Sequence, residues 1–314
     1  MIGMGCYVPF VPYSSTIISK YVPYQIPAKF VHVRNFFFLS PLQLSHFDIK
    51  MAQIDTFNYC SKREQSLIDI LSSYNVQNDK LTKAIGALGE ATTHCATILS
   101  NYVSHESAYA GTQNASGDDQ LHLDIQCDNA VFSALKRSSV CAIAASEETP
   151  VETSVGDTSD MSTFAIGFDP LDGSSIIDAN FSVGSIYGIW PRSQDKPGVL
   201  QRTGREQLAS AMALYGPRTT LCIALPSQTR NNEDSIVLEV TLVQDRSIWS
   251  LSRKNITLLK DGKYFAPGNL RASNDNERYA SLIQNWMQQR YTLRYSGGMV
   301  PGKYLFNWFF VVIL

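Results

Sequence analysis

The 314-residue sequence predicts an α/β fold built as a layered sandwich, α/β or α+β. Three observations predict it. Apolar runs of strand length crowd the middle of the chain, and apolar residues at helical spacing flank them on both sides. Acidic residues gather where the runs give way to polar loops, which is where layered folds place their sites. Net charge is −2, so no global field gathers nucleic acid or an acidic membrane surface. No apolar run approaches the roughly 18 residues of a membrane span. Six cysteines without a Cys-x-x-Cys pair read as reduced, buried thiols, and five scattered histidines lack zinc-ligand spacing. No repeats and no long low-complexity linker interrupt the chain.

Residues 1–50 differ from the rest. They hold four Lys or Arg, many Tyr, Phe and Pro, and no acid before Asp48. An acid-poor, Ser-containing start has the composition of a transit peptide, but this one is weakly basic and Pro-broken. It is expected to be a non-native extension or a disordered tail, with ordinary sequence beginning at Met51. Next, Leu67, Ile68, Ile70 and Leu71 predict a first helix. Leu81, Ile85, Leu88, Cys95, Ile98 and Leu99 predict a second, and Val131 with Leu135 a third after Asp124. Their apolar faces need no role beyond packing on a core.

Val140–Ala144 reads as a short buried strand ending at Ser146-Glu147-Glu148, and residues 151–162 as a polar loop. Thr163–Phe168 is a second strand, delivering the chain to Asp169. Residues 182–190, which alternate small and large, are a third. Leu208–Leu214 is expected to be a helix that stops at Tyr215-Gly216-Pro217. Leu221–Leu225 and Ile236–Val240 read as antiparallel neighbours joined through a polar turn at 228–234. Ile248–Leu251 and Ile256–Leu259 are further strands, and Tyr279–Arg290 a helix.

The run Asp169-Pro170-Leu171-Asp172-Gly173-Ser174-Ser175 carries the chemistry. Hard cations such as Mg²⁺ take carboxylate and carbonyl oxygens and share substrate phosphate oxygens. A Gly followed by two hydroxyl residues offers N–H and O–H donors to an anion. Asp-Pro and Asp-Gly are also ordinary turn dipeptides, and Gly-Ser-Ser can cap a helix. The rest of the chain decides between these readings. Asp118-Asp119 with Asp124, Glu147-Glu148, and Asp169 with Asp172 form three acidic clusters at strand ends. Adjacent like charges there are costly unless a cation neutralises them. Phosphate-ester hydrolysis by two or more metal ions consumes such a set of carboxylates.

Phe168 to Ser175, with Ser146-Glu147-Glu148 and Gly117-Asp118 upstream, resembles the fructose-bisphosphatase family. That family belongs to the lithium-sensitive, metal-dependent sugar and inositol phosphatase superfamily. The resemblance runs from about Ser61 to Pro301. Within the family it is closer to the sedoheptulose-1,7-bisphosphatase branch, including non-plastid, fungal-type members. It rests on Ile176 to Phe181, Tyr215 to Thr220, Phe265 to Arg271 and Tyr291 to Pro301. The resemblance implies a sugar-phosphatase fold of alternating helix and mixed-sheet layers. It implies Mg²⁺ held by Glu147, Asp169, Asp172 and the Leu171 carbonyl, with Asp118 nearby. Asp124 and Glu148, with Asp118, would be the catalytic set, the first two activating the attacking water. Asp172, Gly173, Ser174 and Ser175 would hold the phosphate to be cleaved, and Asn269, Arg271, Arg294 and Tyr295 the distal phosphate and sugar. Arg is independently suited to bidentate phosphate binding, though a lone Arg is ordinarily a surface cation.

The implied partner is a small sugar bisphosphate, sedoheptulose 1,7-bisphosphate first and fructose 1,6-bisphosphate second, because the two differ by one carbon. A catalytically dead regulatory chain is the alternative from another class. The family also implies a homo-oligomer in its full-length form. By boundaries, residues 51–220 are the metal- and phosphate-binding half, 221–301 an incomplete sugar-binding half, and 302–314 an aberrant tail. Plastid relatives carry a Cys-Gly-Gly-Thr-Ala-Cys redox segment. Here His105 to Ser116 has no cysteine, so thiol switching of that type is not expected, and a cytoplasmic address is favoured over a plastid one. After Pro301 the family continues with a Lys for substrate and a Glu for metal, whereas this chain reads Gly302-Lys303-Tyr304 and an AT-rich-looking tail. Gly-Lys-Tyr is encodable by codons containing a splice-donor consensus. The expectation is therefore intron read-through and a weakly active or inactive chain. Sequencing the transcript across the Pro301 codon is expected to show a spliced message lacking codons 302–314.

Overall fold

Apolar patterning along three helices and seven strands of the main sheet builds the larger core cluster. A computed structural model describes residues 65–74, 78–103, 109–113, 119–200, 202–226, 236–243, 248–257, 264–267 and 269–305. All of them fall within the unit Phe57–Leu314. The expected extension at 1–50 lies outside the described residues, as do the 228–234 turn, Leu258, Leu259 and residues 306–314 of the tail.

Helix α1 (Leu67–Ser72) opens on a capping box, Ser66 with Asp69. Helix α2 (Asp79–Ser100) starts at Asn78, whose side chain accepts from the Leu81 amide. It buries Leu81, Ala84, Ile85, Leu88, Ala91, Thr92 and Cys95, one stripe at helical spacing. A two-stranded ribbon, β1 (Tyr109–Gln113) and β2 (Asp119–Leu121), leads into α3 (His122–Ser138). Helix α3 packs on α2 through Leu123, Cys127, Val131, Ala134 and Leu135, and ends at Ser139 in the left-handed region, φ 58°.

The main sheet follows in order of sequence: β3 (Cys141–Ser146), β4 (Thr153–Ser154), β5 (Phe164–Asp172), β6 (Val183–Pro191), β7 (Ala209–Tyr215), β8 (Thr220–Leu225), β9 (Ile236–Val243) and β10 (Ile248–Arg253). Its spatial order is β10-β9-β8-β7-β6-β5-β3-β4. Every pairing is antiparallel except β3 with β5. The antiparallel β8–β9 pair and the strand at 248–251 agree with the sequence reading. Strand β8 crosses the 220/221 boundary, so one continuous sheet joins the two expected halves.

Two expectations are corrected. Leu208–Leu214 is not a helix, because β7 occupies Ala209–Tyr215. Ala, Leu and Met favour helices weakly, but tertiary context overrides the preference. Ala209, Ala211 and Ala213 face the core under α2, while Met212 and Leu214 join a second cluster on the opposite face. Small residues on one face let α2 approach the sheet. The described part of the strand expected at Ile256–Leu259, residues 256–257, is irregular.

Beyond the sheet come β11 (Tyr264–Phe265), α4 (Glu277–Gln288), β12 (Thr292–Leu293) and α5 (Met299–Leu305). Helix α4 buries only Ile283. Val300, at the start of α5, is wholly buried against Ile186, Met212 and Cys222. That approach requires Gly184, where an added Cβ would stand 2.5 Å from the Val300 Cβ and 2.8 Å from the Ala213 carbonyl. Gly184→Ala is expected to destabilise the protein by about 1–3 kcal/mol through overpacking, read from denaturant unfolding midpoints.

Candidate active site

Parallel pairing builds the site. Ser146 of β3 lies in register with Phe168 of β5, so both strands release their acidic ends at the same edge. Glu147 and Glu148 lie in a tight turn closed by Ser146 and Thr149. The Ser146 amide donates to the Thr149 carbonyl at 3.0 Å, and the Thr149 amide donates to Ser146 Oγ at 2.8 Å. The first turn of α3 adds Asp124, 3% exposed, whose Oδ2 accepts from the Leu121 amide at 2.9 Å.

Strand β5 bends as it arrives. Between Asp169 and Asp172 its register with β6 slips by one residue, a bulge of the kind that re-aims side chains beside active sites. Asp169 Oδ1 accepts from the Leu171 amide at 2.9 Å. Gly173, at φ 83°, then turns the chain into a 3₁₀ helix, Ser174–Ala179. Asp172 reaches the start of α5, where Oδ1 accepts from the Met299 amide at 2.9 Å and Oδ2 from the Val300 amide at 2.6 Å. The Gly298 Cα would stand only 3.0 Å from a Cβ at residue 173. The bulge and the segment 297–300 are therefore docked on each other.

The result is a cleft of about 960 Å³. Asp124, Glu147, Glu148, Asp169, Leu171, Asp172, Gly173, Ser174 and Ser175 all line it, so nine of the residues singled out from sequence come together. Asp118 lies outside the described residues. Asn269, Arg271, Arg294 and Tyr295 do not line the cleft. Asn269 and Arg271 belong to an exposed 3₁₀ turn, Leu270–Asn274. Arg294 lies over the Tyr264 ring at 5.9 Å, and the Tyr295 hydroxyl donates to the Gly297 carbonyl at 3.4 Å. The sequence reading missed Asp178, Trp190, Arg202, Gly297 and Met299, which also line the cleft, and Asp128, which binds the turn that carries Glu147 and Glu148. Asp128 stands one turn after Asp124 on α3, a spacing visible in the sequence. It is buried and accepts from Thr149 Oγ1 at 3.1 Å.

The charge of the lining decides the chemistry. Among the described residues, Asp124, Asp178, Asp169, Asp172, Glu147 and Glu148 face Arg202 as the single cation. Burial, then the charges of Glu147 and Asp172, push the Asp169 carboxyl up to about 8. Burial also raises Asp124, against hydrogen bonds from Leu121 and Ser174, and Glu147 adds to the rise. Asp124 Oδ1 is buried without a hydrogen-bond partner. Orphaned oxygen and clustered like charge suit a hard divalent cation, whose ligands are oxygens. Among the described residues, no three His, Cys, Asp or Glu side chains already converge at metal-ligand spacing. Asp172, turned toward the α5 amides, is the carboxylate most clearly held away.

A carboxylate cleft at the ends of β3 and β5, leading into a Gly-Ser-Ser turn, has the donor types that a hard cation and a phosphate ester call for. The comparisons agree with that class. Residues 66–233 match the family model described as fructose-1-6-bisphosphatase, N-terminal domain, and the chain belongs to that family. It is 47% identical over 193 residues to the chloroplastic sedoheptulose-1,7-bisphosphatase of Spinacia oleracea, covering 61% of this chain and 46% of that protein. To the chloroplastic enzyme of the same name from Chlamydomonas reinhardtii it is 40% identical over 236 residues, covering 74% and 56%. To the class 1 fructose-1,6-bisphosphatase of Geobacter sulfurreducens it is 32% identical over 225 residues, covering 71% and 66%. The chain thus spans about half the length of the first two relatives. Among solved structures, a provisionally named sedoheptulose-1,7 bisphosphatase from Toxoplasma gondii superposes with TM-score 0.66 at 32% identity, covering 78% of this chain and 75% of that one. Among the described residues no helix is long and apolar enough to cross a membrane.

The Asp169 value carries a stability consequence. Between about pH 4 and 8 the native state keeps a proton that the unfolded chain has released, so stability falls as pH rises through that window. With chelator present, denaturant midpoints are expected to drop from pH 5 to pH 8, and Asp169→Asn is expected to flatten the dependence.

Proposed function

We propose that this chain is a Mg²⁺-dependent sugar bisphosphatase that hydrolyses the C1 phosphate of sedoheptulose 1,7-bisphosphate. The observation that carries the reading is the gathering of six carboxylates and the Asp-Gly-Ser-Ser turn in one cleft. The name of the 47%-identical spinach relative supports the substrate. A polyanionic substrate cannot enter a cleft with that balance of charge unless cations come with it. Glu147, Asp169, Asp172, the Leu171 carbonyl and Asp118 would hold Mg²⁺. When bound, the ion neutralises phosphoryl oxygens and polarises water.

The chain's own residues then do the rest. Gly173, Ser174 and Ser175 present backbone and hydroxyl donors to the phosphate to be cleaved. Asp124 and Glu148 take the proton of the attacking water as its oxygen bonds to phosphorus. The bond from phosphorus to the C1 oxygen breaks, that oxygen takes up a proton, and the products are a sugar monophosphate and phosphate. Asn269, Arg271, Arg294 and Tyr295 belong to the same proposal as contacts for the distal phosphate and sugar. In the present arrangement they are outside the cleft, so that role requires them to close on it.

Fructose 1,6-bisphosphate is the second reading, supported by the class 1 fructose-1,6-bisphosphatase relatives. A cytoplasmic address is proposed from the lack of the plastid-type cysteine segment, while the chloroplastic relatives weigh toward the plastid. A homo-oligomer is proposed from the family resemblance.

Phosphate release from the two bisphosphates, each with Mg²⁺ and with chelator, tests the reading. Faster release from the seven-carbon substrate, abolished by chelator and reduced at least 100-fold in Asp169→Asn, is expected. Preference for the six-carbon sugar would select the second reading, and no release from either by a folded chain would favour a catalytically impaired one.

A further inference from the structure

Ser185 lies in β6, wholly buried, and does not line the cleft. Its hydroxyl nonetheless reaches the backbone of the site, donating from Oγ to the Pro170 carbonyl at 2.7 Å. Pro170 stands inside the bulge, where the step from Asp169 to Asp172 on β5 is matched by the shorter step from Ile186 to Gly184 on β6. A bulge leaves a ladder group without its regular partner, and Pro170 has no N–H of its own to pair. A buried carbonyl left alone there would be costly. Ser185 is the group that satisfies it.

A serine hydroxyl has one proton. With that proton on the Pro170 carbonyl, the 2.8 Å contact between Ser185 Oγ and the Tyr215 hydroxyl has Tyr215 as donor. Tyr215 is buried at the end of β7, and burial pushes its ionisation well above the ordinary value, so it keeps the proton it donates. The bulge is therefore held from two sides. The Leu171 amide binds Asp169 within the turn, and the Tyr215–Ser185 pair binds Pro170 from the core.

We propose that Ser185 is a positioning residue for the site, fixing the Pro170 carbonyl so that the Asp169 carboxylate and the Leu171 carbonyl on either side are aimed together for a cation. The inference rests on the cation-binding reading above and assigns the bulge geometry to a core hydroxyl on the neighbouring strand β6.

Mn²⁺ is the probe, titrated into the substrate-free chain and followed by the loss of its free-ion electron paramagnetic resonance signal. Ser185→Ala is expected to weaken Mn²⁺ binding about 10–100-fold, the usual cost of removing a partner behind the ligands. Ser185→Thr, which keeps a hydroxyl, is expected to restore most of it, and Tyr215→Phe to give a smaller loss. Asp169→Asn is the reference for the cation reading. If Asp169→Asn weakens binding while folded Ser185→Ala binds as the wild type does, the positioning role is overturned and the cation reading stands. Should Ser185→Ala fail to fold, Tyr215→Phe decides, and wild-type Mn²⁺ affinity in that variant overturns the role. Unchanged binding in Asp169→Asn overturns the cation reading and the inference with it.

Discussion

The parallel pairing of β3 with β5 is the constraint from which the site follows. The remaining pairings in the main sheet are antiparallel, so its neighbouring strands deliver their chain ends to opposite edges. This one pair releases two acidic ends side by side, Glu147-Glu148 and Asp169 to Asp172. Helix α3 packs across the same two strands and brings Asp124 to that edge from its first turn. Parallel strands need a long crossover, and residues 147–163 supply it, with β4 pairing back on β3.

Such a convergence is expensive. Buried carboxylates without a counterion resist ionising, which is why Asp169 holds its proton toward neutral pH and why Asp124 follows in direction. Neutral donors stabilise part of the arrangement. The amides of Leu121, Leu171, Met299 and Val300 each bind a site carboxylate. Amides satisfy oxygens but leave the charge of those carboxylates in place. Folding energy from the apolar core, where each fully buried Leu or Ile contributes about 1.5–3 kcal/mol, is what holds the strand ends together against that repulsion.

Local chemistry was legible in the sequence, and long-range geometry was not. Asp169 to Ser175 and Glu147-Glu148 announce themselves because their function depends on adjacent residues in one turn. The helices α2 and α3 were visible because their apolar residues recur at helical spacing. Strand β7 was hidden because its alternation is of size rather than polarity: alanines toward α2, Met212 and Leu214 away from it. Ser185 was hidden for a different reason. It is a polar residue in an apolar run, and only the fold shows which partner it meets. Arg294 and Arg271 read as ligands from their motifs, but their elements lie on the thinly buried α4 side, outside the cleft.

Asp172 links these observations. As a motif residue it belongs with Asp169, and its carboxylate points instead at the amides that open α5. Gly173 permits the approach of Gly298, and Gly184 permits the approach of Val300, so a turn glycine and a strand glycine serve one docking contact. Any cation that recruits Asp172 must compete with two amide hydrogen bonds, each worth about 1.5–3 kcal/mol to a charged acceptor. A cation that recruited Asp172 would therefore couple its binding to the placement of 297–300 through one side chain. The segment that carries Arg294 and Tyr295 runs directly into residues 297–300, so whatever repositions Asp172 also acts on that stretch.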